Sequence, residues 1–398
     1  MGIRNNTALA SKAFLAVILL LVGLTLFGCG VSSSPQGGSG GTIADGTIYI
    51  CPTLRATSTG LSCSAPRLVG KLVAVKVSDG SLLWGEGEPL TAPTPSGGLG
   101  CATSASSSAV IYGNPAVAGD LVYVADYNGK IYAISASTRL SKQAYLDNSN
   151  PQPIIGGLVV ALGKVYLGCS DGKVYALDAT SLEPAWPQPF VTGGKIWATP
   201  VIDGDTLYIG SFDKKLYAID TQTGKAKWEK PFETEGAIIA TAVVDNNTVY
   251  ISSFDRNLYA VDANTGKPKW EKPFKAERWF WTKPIIANNT VYAPCLDGKV
   301  YILNAETGIE VANVIGMGSP ISSSPVLVGN KVIVATEEGK IYVIDTGNNK
   351  KNELKNLAEK VYAPLSTSGG VIYVYTEKQN LYALSVESGA TLWSQTIK

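Results

Sequence analysis

The chain has 398 residues, with 33 basic and 32 acidic side chains, 45% hydrophobic and 16% charged residues, 42 glycines, 21 prolines and no histidine. A net charge of +1 supplies no field to hold nucleic acid or an acidic bilayer surface. The absence of histidine removes Ser-His-Asp and Cys-His nucleophiles and every histidine-containing zinc site, which excludes most common catalytic machinery.

The N-terminus has the pattern of an address. Arg4 and Lys12, with no acid in residues 1–12, precede an apolar run over residues 13–28. A positive segment before a short apolar one is an export signal, and this run falls short of the roughly 20 residues that span a bilayer. It ends in Leu26-Phe27-Gly28-Cys29, which resembles the lipobox of bacterial lipoproteins; Phe27 stands where that motif has a small residue. The resemblance implies a signal peptide over 1–28 and lipidation of Cys29, with an uncleaved anchor as the alternative; either places the body outside the cytoplasm. Residues 29–42 are expected to form a lipidated cysteine and a flexible Gly/Ser tether.

From residue 43 onward the chain repeats. Leu207 to Trp228, LYIGSFDKKLYAIDTQTGKAKW, recurs closely from Val249 to Trp270. The register tyrosines Tyr132, Tyr175, Tyr217, Tyr259, Tyr301, Tyr342 and Tyr382 lie 40 to 43 residues apart, and Val73 fills the slot one unit earlier. Each of the eight units has four short apolar stretches broken by Asp and Gly; in unit four they cover 196–202, 206–211, 216–220 and 226–230. Strands this short leave no room for crossover helices, and a four-stranded unit of roughly 40 to 45 residues is a propeller blade. The fold is therefore expected to be all-β, a single eight-bladed β-propeller of four-stranded antiparallel blades over 43–398. Two insertions are expected, near 52–68 inside unit one and near 85–108 between units one and two. The second-strand tyrosines and the outer tryptophans Trp84, Trp186, Trp228, Trp270 and Trp393 should pack between blades, each burial worth roughly 1.5 to 3 kcal/mol.

The segments YIGSFDKKLYAIDTQTGKAKW and YISSFDRNLYAVDANTGKPKW resemble the PQQ-type propeller repeat, whose outer tryptophan docks on a neighbouring motif. The resemblance weakens at unit six, where Ala312 replaces the tryptophan, and at units one, two and seven. Within this repeat family, an exported lipoprotein with little added to the ring is most similar to the BamB-like lipoproteins of outer-membrane β-barrel assembly. It is less like the quinoprotein dehydrogenases, which carry adjacent paired cysteines absent here. The implied function is a non-catalytic, monomeric scaffold in the cell envelope, without cofactor or metal. Its implied partners are envelope proteins, with the barrel-assembly machinery foremost where the cell has an outer membrane. The alternatives are a dehydrogenase dependent on pyrroloquinoline quinone and a surface carbohydrate-binding propeller.

Three residue sets bear on these readings. Asp171, Asp213, Asp255 and Asp297 recur on one turn and Asp178, Asp220 and Asp262 on another, where an aspartate caps its own turn amides rather than gathering a cation. Cys169 and Cys295 are expected to be buried small hydrophobes. Cys51, Cys63 and Cys101 border or lie in the two insertions, which rise from one face, so a disulfide among them suits an oxidising compartment; spacing leaves the pairing open, and loop length favours Cys51 with Cys63. That same face begins the inner strands, where Tyr112, Ile155, Trp197, Ile239, Trp281, Ser322 and Tyr362 are equivalent. Arg278-Trp279-Phe280-Trp281 is the densest aromatic cluster. Tyr112, Trp197, Arg278, Trp279, Phe280, Trp281 and Tyr362 are thus the candidate partner-binding face, with channel plugging and packing between blades as the alternative.

Overall fold

A computed structural model describes residues 39–55, 68–85, 87–90, 110–147 and 149–397. Cys29, Cys63 and Cys101 lie outside them, as do the signal segment and most of the tether. Eight antiparallel sheets follow one another along the chain. Blade 1 comprises Thr42–Ala44, Thr47–Ile50, Leu68–Lys76 and Glu88–Leu90, with Thr53–Arg55 extending its central hairpin. Blades 2 to 8 begin at Ala116, Val159, Val201, Val243, Ile285, Val326 and Ser366. Blade 4 is representative: Val201–Asp203, Thr206–Gly210, Lys215–Asp220 and Phe232–Glu233 run outward in order. Its two central strands pair Leu207 with Ile219 and Ile209 with Tyr217. The second strand is buried on both sides because blades stack face to face, which is why it is apolar without alternation.

The core accordingly lies between blades. One cluster joins Tyr208, Leu216 and Trp228 of blade 4 to Ile238, Val249 and Val261 of blade 5. At three boundaries the contact has the same polar lock. Trp228 Nε1 and Tyr208 Oη both donate to Ala263 O of the next blade, at 2.9 and 3.0 Å. Trp186 with Tyr166 (to Thr221 O) and Trp270 with Tyr250 (to Ala305 O) repeat it. The indole also needs a bare backbone opposite: a Cβ on Gly266 would come within 2.7 Å of Trp228, and Gly266 itself sits at φ +71°.

Ring closure uses this device too. Trp393 of blade 8 donates to Val77 O of blade 1 at 2.9 Å and presses on Gly80. Among the described residues, the strands of blade 8 come from 366–396 and those of blade 1 from 42–90, and the two blades close the ring by packing against each other. The remaining four boundaries lack the pair. Ala312 replaces the tryptophan between blades 6 and 7, where Tyr292 Oη donates to Asn349 Oδ1 instead; Lys142 Nζ donates to Thr180 O between blades 2 and 3; and Gly389 lies against Leu354 between blades 7 and 8. Trp84, expected to dock, meets Arg139 in the glycine place; it stays half-buried against Tyr49, 5.7 Å away, beside a cavity of about 600 Å³.

Four expectations are corrected. The innermost strand of blade 4 is only Val201–Asp203, because Ile196 N–H bonds back to Cys169 O of blade 3 and Pro200 has no donor. The outer strand is Phe232–Glu233, since Trp228 leaves the sheet to dock and Pro231 follows it. Glu88–Leu90, expected in the second insertion, pairs with Gly70–Leu72 as the outer strand of blade 1. Residues 39–41, expected in the tether, are buried in the ring. Ser39 Oγ accepts from Cys51 N–H at 3.0 Å and Gly40 N–H donates to Asn114 Oδ1 at 2.7 Å. A Cβ on Gly40 would lie 2.6 Å from Pro364 O, so this glycine serves close approach and not flexibility.

Candidate functional site

The face formed by the turns between second and third strands and by the links between blades carries the candidate residues. Each link crosses from one blade to the next and returns a backbone bond: Phe212 N–H to Lys195 O, Phe254 N–H to Ala237 O and Leu296 N–H to Trp279 O. The turn residue making that bond therefore lies against the link, and at Tyr127, Phe212 and Phe254 it is aromatic. Phe254 is stacked against both Trp279 and Trp281, with ring centres 5.6 and 6.0 Å apart and planes inclined by 29° and 24°. Trp197 meets Phe212 edge-on at 4.6 Å, and Tyr112 meets Tyr127 at 5.9 Å.

The structure thus divides the sequence candidates. Arg278 is exposed, Trp279, Trp281, Trp197 and Tyr112 are half-buried, and Tyr362 is 42% exposed. Phe280 is not available to a partner: it is 1% exposed in the core beneath the two tryptophans, near Tyr301, because side chains alternate along this extended link. The sequence reading missed Phe212 and Phe254, whose signal was the shared Ser-Phe-Asp turn. At blades 7 and 8 the same turn position holds Glu337 and Glu377, so the aromatic arc ends in an acidic segment beside Lys360 and Tyr362. Lys283, two residues beyond Trp281, was also missed; burial pulls its ammonium pKa down.

The repeated aspartates have structural duties. Asp213 Oδ1 accepts from Lys215 N–H at 3.1 Å, and Oδ2 accepts from Tyr217 Oη at 2.5 Å and from Gly193 N–H of blade 3 at 2.6 Å. Asp171, Asp255 and Asp297 likewise hold a turn amide and a tyrosine hydroxyl. Blade 8 has Thr376 in this turn, and Glu359 from the preceding link takes over, accepting from Thr376 Oγ1 at 2.6 Å and from Tyr382 Oη at 3.1 Å. Burial pushes the Glu359 carboxyl up, but those hydroxyls, Asn380 and Lys378 outweigh it and hold its pKa below the usual range. A depressed folded pKa gives stability that is present above the unfolded value of about 4.3 and lost as pH falls through the folded value. Glu359→Gln is therefore expected to lower the melting temperature at pH 7 and to lose that effect as the pH falls into the carboxylate range, which calorimetry across pH will show.

Cys169 and Cys295 are buried thiols 3.4 to 3.6 Å from backbone carbonyls, and burial pushes both pKa values up to about 12. Cys51 is fully buried. Among the described residues no three His, Cys, Asp or Glu side chains are grouped to hold a metal ion. A quinone with its calcium needs convergent oxygen ligands, and the repeated aspartates, one per blade and already engaged, do not fit such a site.

The family model for the outer membrane protein assembly factor BamB matches residues 68–233 and 181–395. The chain belongs to the BamB family. Its fold is similar to the crystal structure of BamB from Moraxella catarrhalis, with a TM-score of 0.60 at 17% identity over 88% of this chain and 93% of that one. The computationally designed Ika8 protein is similar as well, with a TM-score of 0.65 at 14% identity over 85% and 93%. No curated protein matches the chain. The BamB family match thus joins the ring to a propeller class associated by name with outer-membrane assembly.

Proposed function

We propose that the chain is a non-catalytic, monomeric scaffold of the cell envelope, exported, lipid-anchored through Cys29, and docking a protein partner on its turn-and-link face. The observation that carries the reading is the Trp279, Phe254, Trp281 stack with Arg278 exposed beside it. Half-buried, pre-ordered aromatics beside an arginine offer contact area at low entropic cost, which is what interface hot spots require. BamB family membership supports the choice of partner: in a cell with an outer membrane, components of β-barrel assembly. Affinity capture of the lipidated protein from its own envelope tests this. A stable envelope protein is expected in the eluate, and its absence would contradict the reading. Because the aspartates do not fit a quinone site, incubation with pyrroloquinoline quinone and calcium is expected to yield neither cofactor absorbance nor alcohol-dependent dye reduction.

A further inference from the structure

Each link enters its innermost strand through a short extended stretch of alternating burial. In blade 6 Phe280, Thr282 and Pro284 are buried, while Trp281 and Lys283 between them are half-buried. Blade 4 repeats this with Ala198 and Pro200 against Trp197 and Thr199, and blade 7 with Ser323 and Pro325 against Ser322 and Ser324. Side chains alternate along an extended backbone, so the half-buried set points away from the blade cores. At the position of Lys283 these groups meet from blade to blade: Gly40 N–H donates to Asn114 Oδ1, and Gly157 N–H donates to Thr199 Oγ1 at 2.8 Å. They form an inner ring at the axial end of the turn-and-link face.

Lys283 is out of keeping with that ring. Every other blade has glycine, proline, asparagine or a hydroxyl residue at its position, and no blade has an acid there or at the position of Trp281. Among the described residues no carboxylate pairs with Lys283. Burial pulls its pKa down, and no neighbouring charge offsets the pull. Asp203 and Asp245 end their innermost strands on the opposite side of the ring. Residues 1–38, 56–67 and 91–109 contain no Asp or Glu, so they hold no counter-charge either. A second group on the adjacent link is also unsatisfied: Ser322 Oγ is buried and makes no hydrogen bond among the described residues. A desolvated ammonium and a desolvated hydroxyl both cost free energy until an acceptor meets them.

We propose that Lys283 and Ser322 bind a carboxylate between the links of blades 6 and 7, beside Trp281. One carboxylate answers both groups, because it accepts from an ammonium and from a hydroxyl at once and brings the missing negative charge. The site depends on the ring and not on the scaffold reading. Its carboxylate belongs either to a free solute or to an acidic side chain of a docked protein, and the chemistry recognised is the same.

The test uses the full chain labelled with fluorotryptophan, in detergent, with sodium acetate replacing sodium chloride at constant ionic strength. The fluorine NMR line assigned to Trp281 through Trp281→Phe is expected to shift saturably, while that of Trp228, buried between blades 4 and 5, stays in place. Lys283→Met is expected to weaken acetate binding at least about tenfold and Ser322→Ala at least about threefold. Lys272→Met, which removes an exposed charge, is expected to leave it unchanged. An unmoved Trp228 line shows that a variant is folded, and Ser322→Ala carries the test if Lys283→Met is not. No saturable shift, or equal affinity in every folded variant, would overturn the proposal. Acetate added to the envelope capture then separates the two sources. Loss of the captured protein, reproduced by Lys283→Met, assigns the carboxylate to that protein, and undiminished capture assigns it to a free solute. The titration needs no partner, so its failure and the failure of capture are separately visible.

Discussion

Trp270→Ala is expected to destabilise the ring by about 3 to 5 kcal/mol, the range for deleting a large buried aromatic. Its indole is 3% exposed, donates to Ala305 O at 2.9 Å, and lies against Tyr250 and Gly308. Removing it opens a cavity at a boundary where the core is shared by two blades. Tyr250 keeps its own bond to Ala305 O, so the carbonyl is not orphaned and the loss is mainly packing. Gly308→Ala attacks the same contact from the other blade. Its Cβ would lie 2.5 Å from the indole on a backbone at φ +73°, and a cost of about 1 to 3 kcal/mol follows from overpacking and strain. Measured by denaturant unfolding, the double variant should cost less than the two single losses combined, since the clash disappears with the indole.

Replacing Trp281 and Arg278 together with alanine is expected to reduce envelope-partner capture by about 30-fold or more, the scale of a hot-spot loss near 2 kcal/mol. Trp281 shares the Phe254 ring with Trp279, so truncation also loosens the surface that remains. The melting temperature should change little, because Arg278 is exposed and Trp281 is half-buried. Retained capture with unchanged stability would remove these residues from the interface.

Much of the ring was legible in the sequence. A tyrosine every 40 to 43 residues set the blade count, and the resemblance to the propeller repeat implied that the outer tryptophan docks on a neighbouring motif. What was not legible involved contacts between blades. Apolar periodicity over 196–202 suggested one strand, yet Ile196 belongs to a link that bonds to Cys169. Gly40 looked like tether until Pro364 and Asn114 were seen around it. Phe280 shared a cluster with its neighbours in sequence, but alternation turned it into the core. Arg139 occupies a glycine position without disturbing the local turn, so its effect appears only as a cavity at the boundary.

The central claim is that one face of this propeller holds an envelope protein. Site-specific photo-crosslinking in the native envelope, from position 278 on the turn-and-link face and from position 264 on the opposite turns, tests it most directly. Both side chains are exposed. A discrete protein adduct from 278 and none from 264 is the predicted result; adducts from neither position, or equally from both, would contradict it.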